Sequence, residues 1–407
     1  MEAFDPGRIE AAARKALLAT SEAPDAGAVA AAVAGKVVEK LAASGRHLPY
    51  LEEVQDLVER TLMEQGLFAT AKAYILYREQ RRRVREMKAL VSQDLIDAYL
   101  EEADWRVREN ANAGFSLQGL NNYLVGALAA EYWLERVYPP EVREAHRSGD
   151  LHLHDLNLIA LYCAGWDLQK LLREGFNGVA GHTEASPPKH LRSALGQLYN
   201  FIYTVQGETA GANAVSNFDT LFAPFVRADN LNYDQVKQAL QEFVFNLNVP
   251  TRVGFQTPFS NVSLDVSVPD FLSREPAVVG GKDMPFSYGD LQEEVNLVNR
   301  AFCEVMLEGD ARGRGFTFPI PTYGVTREFF AGPSSGEVFR LAARYGSPYF
   351  SNFISSDQRP EDVRSMCCRL RLDTSELLRR GGGLFGANPQ TGSIGVVTLN
   401  LARLGYL

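Results

Sequence analysis

The stretch "NYLVGALAAEYWLERVYPPEVREAHRSGDLHLHDL" covers residues 122–156 and changes its period within itself. Residues 122–138 read as a helix, whereas "GDLHLHDL" (149–156) alternates apolar and polar residues with period two, as a strand does. The same exchange of helices with short strand-like runs continues downstream, through "FTFPIPTY" (316–323) and "IGVVTLNL" (394–401). Such alternation argues for an α/β or mixed barrel.

Within the alternating run, His152 and His154 fall on one strand face and Leu151 and Leu153 on the other. Two histidines so placed can ligate a metal, but a third ligand is not evident. They can also line a polar pocket with Asp155. Spacing alone favours a hydrogen-bonded histidine at a strand end.

Upstream, residues 8–91 read as helix after helix. The segments are "RIEAAARKALLAT", "DAGAVAAAVAGKVVEKLAAS", "PYLEEVQDLVERTLMEQG" and "LFATAKAYILYREQRRRVREMK". The third opens on proline and closes on glycine, the usual helix punctuation. The basic run Arg81 to Arg85 reads as a solvated helix end, with an anion site as the weaker reading. "EASPPKH" (184–190) reads as a loop.

Composition narrows the class. The 407 residues carry a net charge of -9, which argues against a nucleic-acid groove as the main function. No apolar run approaches the roughly 18 residues of a spanning helix, and Glu2 and Asp5 do not open a signal peptide. The expectation is a soluble, cytoplasmic protein with no membrane partner. The four cysteines are Cys163, Cys303, Cys367 and Cys368; none forms a CxxC pair, so neither a disulfide framework nor a zinc ribbon is read. Hydrophobic residues make up 46% of the chain, enough for a large core.

Three segments carry candidate chemistry. "GFQTPFSNVSLD" (254–265) gathers Gln256, Ser260, Asn261 and other neutral polar groups among aromatics. That pattern fits a pocket that hydrogen-bonds a ligand, or equally a polar loop with an Asn turn. "RRGGGLFGANPQTGSIGVV" (379–397) is glycine-rich but is neither a P-loop nor GxGxxG, so it reads as a tightly turned loop between "RLRLD" and "IGVVTLNL". "RSMCCRLRLD" (364–373) sets two cysteines side by side at the head of the first of those strands. In an extended chain their thiols point to opposite faces, so only one meets a given pocket. Cys163 in "LYCAGWD" and Cys303 in "RAFCEVML" read as small buried hydrophobes.

These segments, taken in order with "ETAGANAVSNFDTLFAPFVR" (208–227) and "YGSPYFSNF" (345–353), resemble the anaerobic (class III) ribonucleoside-triphosphate reductases, a glycyl radical enzyme family. The resemblance covers roughly residues 90–407, and residues 1–85 resemble the ATP-cone regulatory domain that precedes such enzymes. The resemblance implies an ATP cone at 1–88 and, over 89–407, the N-terminal part of a ten-stranded α/β barrel with a cysteine on an inner finger loop. It implies a thiyl radical at that cysteine that takes the 3′-hydrogen of a ribonucleoside triphosphate, while the 2′-hydroxyl leaves as water. A dry interior suits this chemistry because water or oxygen would quench the radical.

Carried onto this sequence, the thiyl position in the family's M-x-C-R context is Cys368, and Cys367 is its packed neighbour. Cys163 corresponds to the second cysteine on the substrate's other face, and His152 to the first histidine of the family's HxHD strand. Gln256, Ser260 and Asn261 fall in the QTPF[ST]N segment as substrate contacts. Asp5, Arg8 and Lys72 are the nearest matches to the cone's ATP/dATP contacts, where cationic side chains meet phosphate. Ser393 stands where formate-using members carry Asn, which leans the reductant from formate towards a thioredoxin-like or glutaredoxin-like dithiol. The resemblance further implies a homodimer, a radical S-adenosylmethionine activase, and zinc bound by a four-cysteine site. Neither that site, nor a glycyl radical loop, nor the cone's opening basic strand pair occurs within residues 1–407. The expectation is a fragment that does not turn over by itself. Two alternatives stand beside it: a glycyl radical lyase of the formate-acetyltransferase type, and a non-catalytic nucleotide-binding fragment.

Overall fold

The computed structural model describes residues 5–43, 51–78, 93–101, 117–177, 183–250, 257–356, 359–360, 363–365, 371–373 and 391–406. The chain divides into two compact units, Met1–Ile96 and Asp97–Leu407.

The first unit is helical: α1 (Pro6–Thr20), α2 (Ala26–Ala43), α3 (Leu51–Glu64) and α4 (68–78). Asp5 caps α1 by accepting the Gly7 N–H, with Pro6 at the first turn, and Ser21 in the left-handed region closes the helix. Small and branched residues at helical spacing, among them Ala13, Leu17, Val33, Val37, Val58 and Leu62, form the core. Glu22 receives the Ala69 and Thr70 N–H groups and the Thr70 hydroxyl at the start of α4. Those bonds, led by the Thr70 amide, hold its carboxyl below the usual range.

The helix α5 (Gln93–Leu100) crosses the division, and the second unit continues with α6 (Leu117–Tyr132), a π-helical turn (Trp133–Val137) and α7 (Pro140–Ser148). β1 (Leu151–Leu153) follows, with Leu153 buried as the alternation requires. The main sheet has six strands in the order β11-β2-β3-β4-β7-β8. They are β2 (Cys163–Trp166), β3 (Asn213–Val215), β4 (Ser260–Leu264), β7 (Ile320–Val325), β8 (Tyr349–Asn352) and β11 (Thr391–Ser393). Five run parallel, and β11 pairs antiparallel with β2.

Helical crossovers make the parallel pairing possible. They are α8 (Leu168–Glu174) and α9 (Leu191–Val205), then α10 (Phe218–Ala228) and α11 (Tyr233–Leu247). Between β4 and β7 run α12 (Asp270–Ser273), the hairpin of β5 (Pro276–Val279) and β6 (Lys282–Ser287), and α13 (Gln292–Glu308). The helices α14 (Arg327–Ala331) and α15 (Ser335–Tyr345) lead to β8. The main core lies between these helices and one sheet face, where Val215, Val262, Leu264 and Tyr323 meet Phe218, Phe222, Phe243 and Phe302. A curled parallel sheet with helices on one side and one reversed strand at its edge is a partly formed α/β barrel, as the sequence led one to expect.

Besides the β5–β6 hairpin, two short antiparallel pairs among the described residues stand outside this sheet. β9 (Val363–Ser365) pairs with β10 (Arg371–Asp373), and β12 (Val397–Leu399) pairs with β1.

Candidate active site

Strand register sorts the sheet's side chains between two faces. Trp166, Val215, Val262 and Pro321 align in one row, and the valines lie in the helix-packed core. The row Gly165, Ala214, Asn261 and Ile320 therefore faces away from the helices. Cys163, two residues before Gly165, shares that inner face and stands opposite Ser393 of β11. The inner face is thus lined by small and neutral polar groups, which leave room for a ligand.

The parity separates two of the candidate contacts, Ser260 and Asn261, because adjacent strand residues point opposite ways. Ser260 aligns with Asn213 and Ala164, in the register row that faces the helices, and Asn261 alone is on the inner face. Asn261 is fully buried, and its Nδ2 donates to the Thr322 hydroxyl across β7 at 3.2 Å. Gln256, Cys367 and Cys368 lie outside the described residues. The strands either side of the cysteine pair are described: β9 and β10 run antiparallel, Ser365 opposite Arg371, and β9 approaches β4.

Cys163 is fully buried. Its own N–H donates to the Ser393 hydroxyl at 3.3 Å, the Tyr162 N–H donates to the Ser393 carbonyl at 2.9 Å, and the Ala212 N–H donates to its sulfur at 3.2 Å. A cleft of about 130 Å³ flanks this junction, lined by Trp133, Tyr138, His154, Asp155, Tyr162 and Ile394 among others.

His152 and His154 do share a strand face, with ring centroids 4.7 Å apart. A third imidazole, His146 of α7, lies 5.4 Å from His152. Its Nδ1 accepts the Leu153 N–H at 3.1 Å, so that nitrogen is unprotonated. Burial, then His152 and Arg147, push its pKa down. His154 Nε2 pairs with the Thr398 hydroxyl at 2.7 Å. Among the described residues no group of three or more His, Cys, Asp or Glu side chains is arranged to hold a metal ion. His146 escaped the sequence reading because it precedes the alternating run; the signal was the left-handed Gly149, which folds α7 back onto β1.

In the helical unit, Asp5 and Arg8 lie at the start of α1 and Lys72 lies in α4. Asp5 is engaged as the α1 cap, and Arg8 lies one turn on. Lys72 is near Thr70, whose hydroxyl meets Thr20 at the far end of α1. About 18 Å of helix axis separates Arg8 from Thr20. Cys303 is core, as expected: it is fully buried on α13, 3.2 Å from the Tyr323 hydroxyl.

With this arrangement in view, the comparisons with known proteins define the class first. The structure of the anaerobic ribonucleotide reductase from Thermotoga maritima with dATP bound in the specificity site superposes with a TM-score of 0.55 at 16% identity, over 80% of this chain and 57% of that one. The complex of the same enzyme with dATP and CTP gives 0.53 at 18%, over 79% and 54%. The fold is therefore that of the reductase barrels.

The family description "Anaerobic ribonucleoside-triphosphate reductase" matches residues 109–407, and "ATP cone domain" matches residues 1–83. The chain belongs to the anaerobic ribonucleoside-triphosphate reductase family, whose members are oxidoreductases, and carries an N-terminal ATP cone. The reductase of Escherichia coli strain K12 is 29% identical over 230 residues, 55% of this chain and 31% of that protein. That of Salmonella typhimurium strain LT2 is 30% identical over 181 residues, 43% of this chain and 25% of that protein. The chain thus spans about a third or less of the curated relatives it matches. The cone supports ATP or dATP binding. Among the described residues no helix is long and apolar enough to cross a membrane.

Proposed function

We propose that this chain is part of an anaerobic reductase large subunit that converts ribonucleoside triphosphates to 2′-deoxyribonucleoside triphosphates for DNA synthesis, under ATP and dATP control through its cone. One juxtaposition supports the reading above all. Cys163 and Ser393, 230 residues apart in sequence, meet on the inner face, while β9, which precedes the Cys367–Cys368 pair and pairs with β10, comes up beside β4 of the same sheet. The substrate lies between Cys368 and Cys163 in this reading.

A glycyl radical, generated with a radical S-adenosylmethionine activase, supplies the hydrogen-atom acceptor that starts the reaction in this family. The chain's own residues do the rest. Cys368 takes the 3′-hydrogen of the ribose. Cys163 stands on the opposite side of the sugar, where the 2′-hydroxyl leaves as water. Asn261 and Gln256 hydrogen-bond substrate, His152 bounds the site, and the small residues of β2 and β3 give the sugar room. Ser393 in place of an asparagine favours a thioredoxin-like or glutaredoxin-like dithiol over formate as reductant. The working enzyme is a homodimer, with zinc held in the remainder of the reductase.

The test is to produce this chain together with a polypeptide carrying the remaining reductase sequence and the activase, and to measure CTP reduction without oxygen. Turnover is expected, with Cys368→Ser abolishing it and Cys367→Ser retaining it, while calorimetry shows unchanged ATP binding. Undiminished turnover in Cys368→Ser, or none with any reductant, overturns the reading.

A further inference from the structure

The start of β3 does not follow a regular parallel ladder. Leu161 bridges Thr209, and three residues later Ala164 pairs with Asn213, four residues on from Thr209. One extra residue is therefore inserted on the β3 side, which is a β-bulge. In a regular ladder the Ala212 N–H would donate to the Tyr162 carbonyl, because the Ala164 N–H already donates to the Ala212 carbonyl at 2.9 Å. Instead the Gly211 N–H takes the Tyr162 carbonyl, at 2.5 Å, directly after the Ala210 N–H takes the Leu161 carbonyl at 2.7 Å. The displaced Ala212 N–H is redirected to the Cys163 sulfur, at 3.2 Å.

The bulge also depends on glycine. A Cβ at position 211 would lie 2.7 Å from Cys163 Sγ and 2.8 Å from the Tyr162 carbonyl oxygen, closer than such atoms approach in folded proteins. The backbone on that side cannot yield cheaply, since the Thr209 hydroxyl ties the Gly211 carbonyl at 3.2 Å and the Asn213 side chain ties Thr209 at 3.0 Å. Asn213 in turn accepts the Trp166 indole N–H at 2.8 Å, which joins the bulge to the far end of β2.

We propose that the Gly211–Ala212 bulge positions the Cys163 thiol, with Gly211 the positioning residue and the Ala212 N–H the group that holds the sulfur. A cysteine side chain in a strand has more than one accessible rotamer. An N–H aimed at a sulfur lone pair selects one, and the absence of a side chain at 211 makes that rotamer accessible. The sulfur is thereby held on the inner face beside Ser393. The catalytic meaning of this rests on the reductase reading, but the positioning itself is a property of this chain and is tested on it alone.

Two arms carry the test, both on the 407-residue protein. In the first, Gly211→Ala is compared with wild type for native-state alkylation of Cys163 by iodoacetamide, quantified by mass spectrometry. Displacing a sealed sulfur raises its reactivity, so a rise of about tenfold is expected at unchanged circular dichroism. An unchanged rate in a folded variant overturns the proposal. Because Gly211→Ala can fail to fold, the second arm leaves Gly211 in place and reads the Ala212 amide by hydrogen exchange. Exchange about tenfold faster in Cys163→Ala and near wild type in Cys163→Ser, which restores an acceptor, is expected. Equal protection in all three proteins overturns it. Neither arm involves turnover, so a failed reductase assay would not decide it, nor would its failure refute the reductase reading.

Discussion

Cys163 and Cys303 are both fully buried and neither is in a disulfide, yet they lie on opposite sides of one sheet. Cys303 sits on α13 among the apolar residues of the main core and meets the Tyr323 hydroxyl. Burial pushes its thiol up to about 12, with the Tyr323 hydrogen bond opposing. Among the described residues Cys163 has Ala212 as its one fully buried apolar companion, with Tyr162 and Phe259 partly buried against it, and it meets a backbone N–H and a serine. The first environment keeps a thiol inert by surrounding it with hydrocarbon. The second fixes a sulfur in place among groups that can hydrogen-bond and leaves small residues beside it. Burial alone therefore does not separate the two cysteines; in the proposed reading the face of the sheet does.

The sharpest way to break this comparison is to remove each thiol in turn from the complemented enzyme. Cys163→Ala is expected to lower the rate of deoxynucleotide formation by about a thousandfold or more, whereas Cys303→Ala leaves it within a few-fold. Similar losses in both would mean that the faces are not functionally distinct.

The next largest effect concerns stability and reverses the order. Phe222 is fully buried on α10 and packs at a tilt against Phe218, whose ring also meets Phe243 and Phe302. Phe222→Ala is expected to cost about 3–5 kcal/mol in denaturant unfolding, because the tightly packed helices cannot collapse into the space. Gly165 and Ala214 on the inner face have no comparable side chain to lose.

How much of this was legible beforehand follows the same division. The helical unit was readable because caps, glycine stops and apolar spacing are local signals; α1 ends at Thr20 where the pattern placed it. The placement of His152 and His154 on one face, with Leu153 buried, followed from period two. The inner face was not legible as a face. Ser393 meets Cys163 across 230 residues, and nothing in either segment specifies that register. Ser260 and Asn261 fall in one segment of polar groups among aromatics, and only the pleat shows that they point to different faces. The bulge at Thr209–Asn213 looked like plain "TAGAN", since the extra residue exists only relative to β2. Local chemistry was encoded in local sequence, and pairing chemistry was not.

A pH measurement sharpens the contrast on the core side. Folding raises the Cys303 thiol from 9.0 to about 12, so the unfolded chain loses that proton first. Its contribution is intact below about pH 9 and falls as pH climbs towards 12, by about 1 kcal/mol at pH 10. Tyr323, also raised by burial, adds an alkaline loss of its own that persists in Cys303→Ala. The difference between wild type and that variant, followed by denaturant unfolding from pH 7 to 10, reads the thiol together with the part of the Tyr323 shift that Cys303 causes. Equal slopes would show that Cys303 is not held in hydrocarbon.

The smallest effect is the most selective. Ser260 and Ser263 each bury a hydroxyl oxygen with no hydrogen-bond partner among the described residues, three residues apart on β4 and therefore on opposite faces. Replacing an unsatisfied buried hydroxyl by hydrogen costs little, so each alanine variant is expected to change stability by no more than about 0.5 kcal/mol. Their effect on substrate should differ. Ser263 stands in register with Thr322 of the inner face, where an unpaired hydroxyl has a reason to persist if a ligand oxygen completes it. In the complemented enzyme, Ser263→Ala should raise KM for CTP a few-fold with little change in kcat, while Ser260→Ala changes neither. A KM rise in Ser260→Ala alone would place the substrate on the wrong side of β4 and with it undo the distinction between the two cysteines.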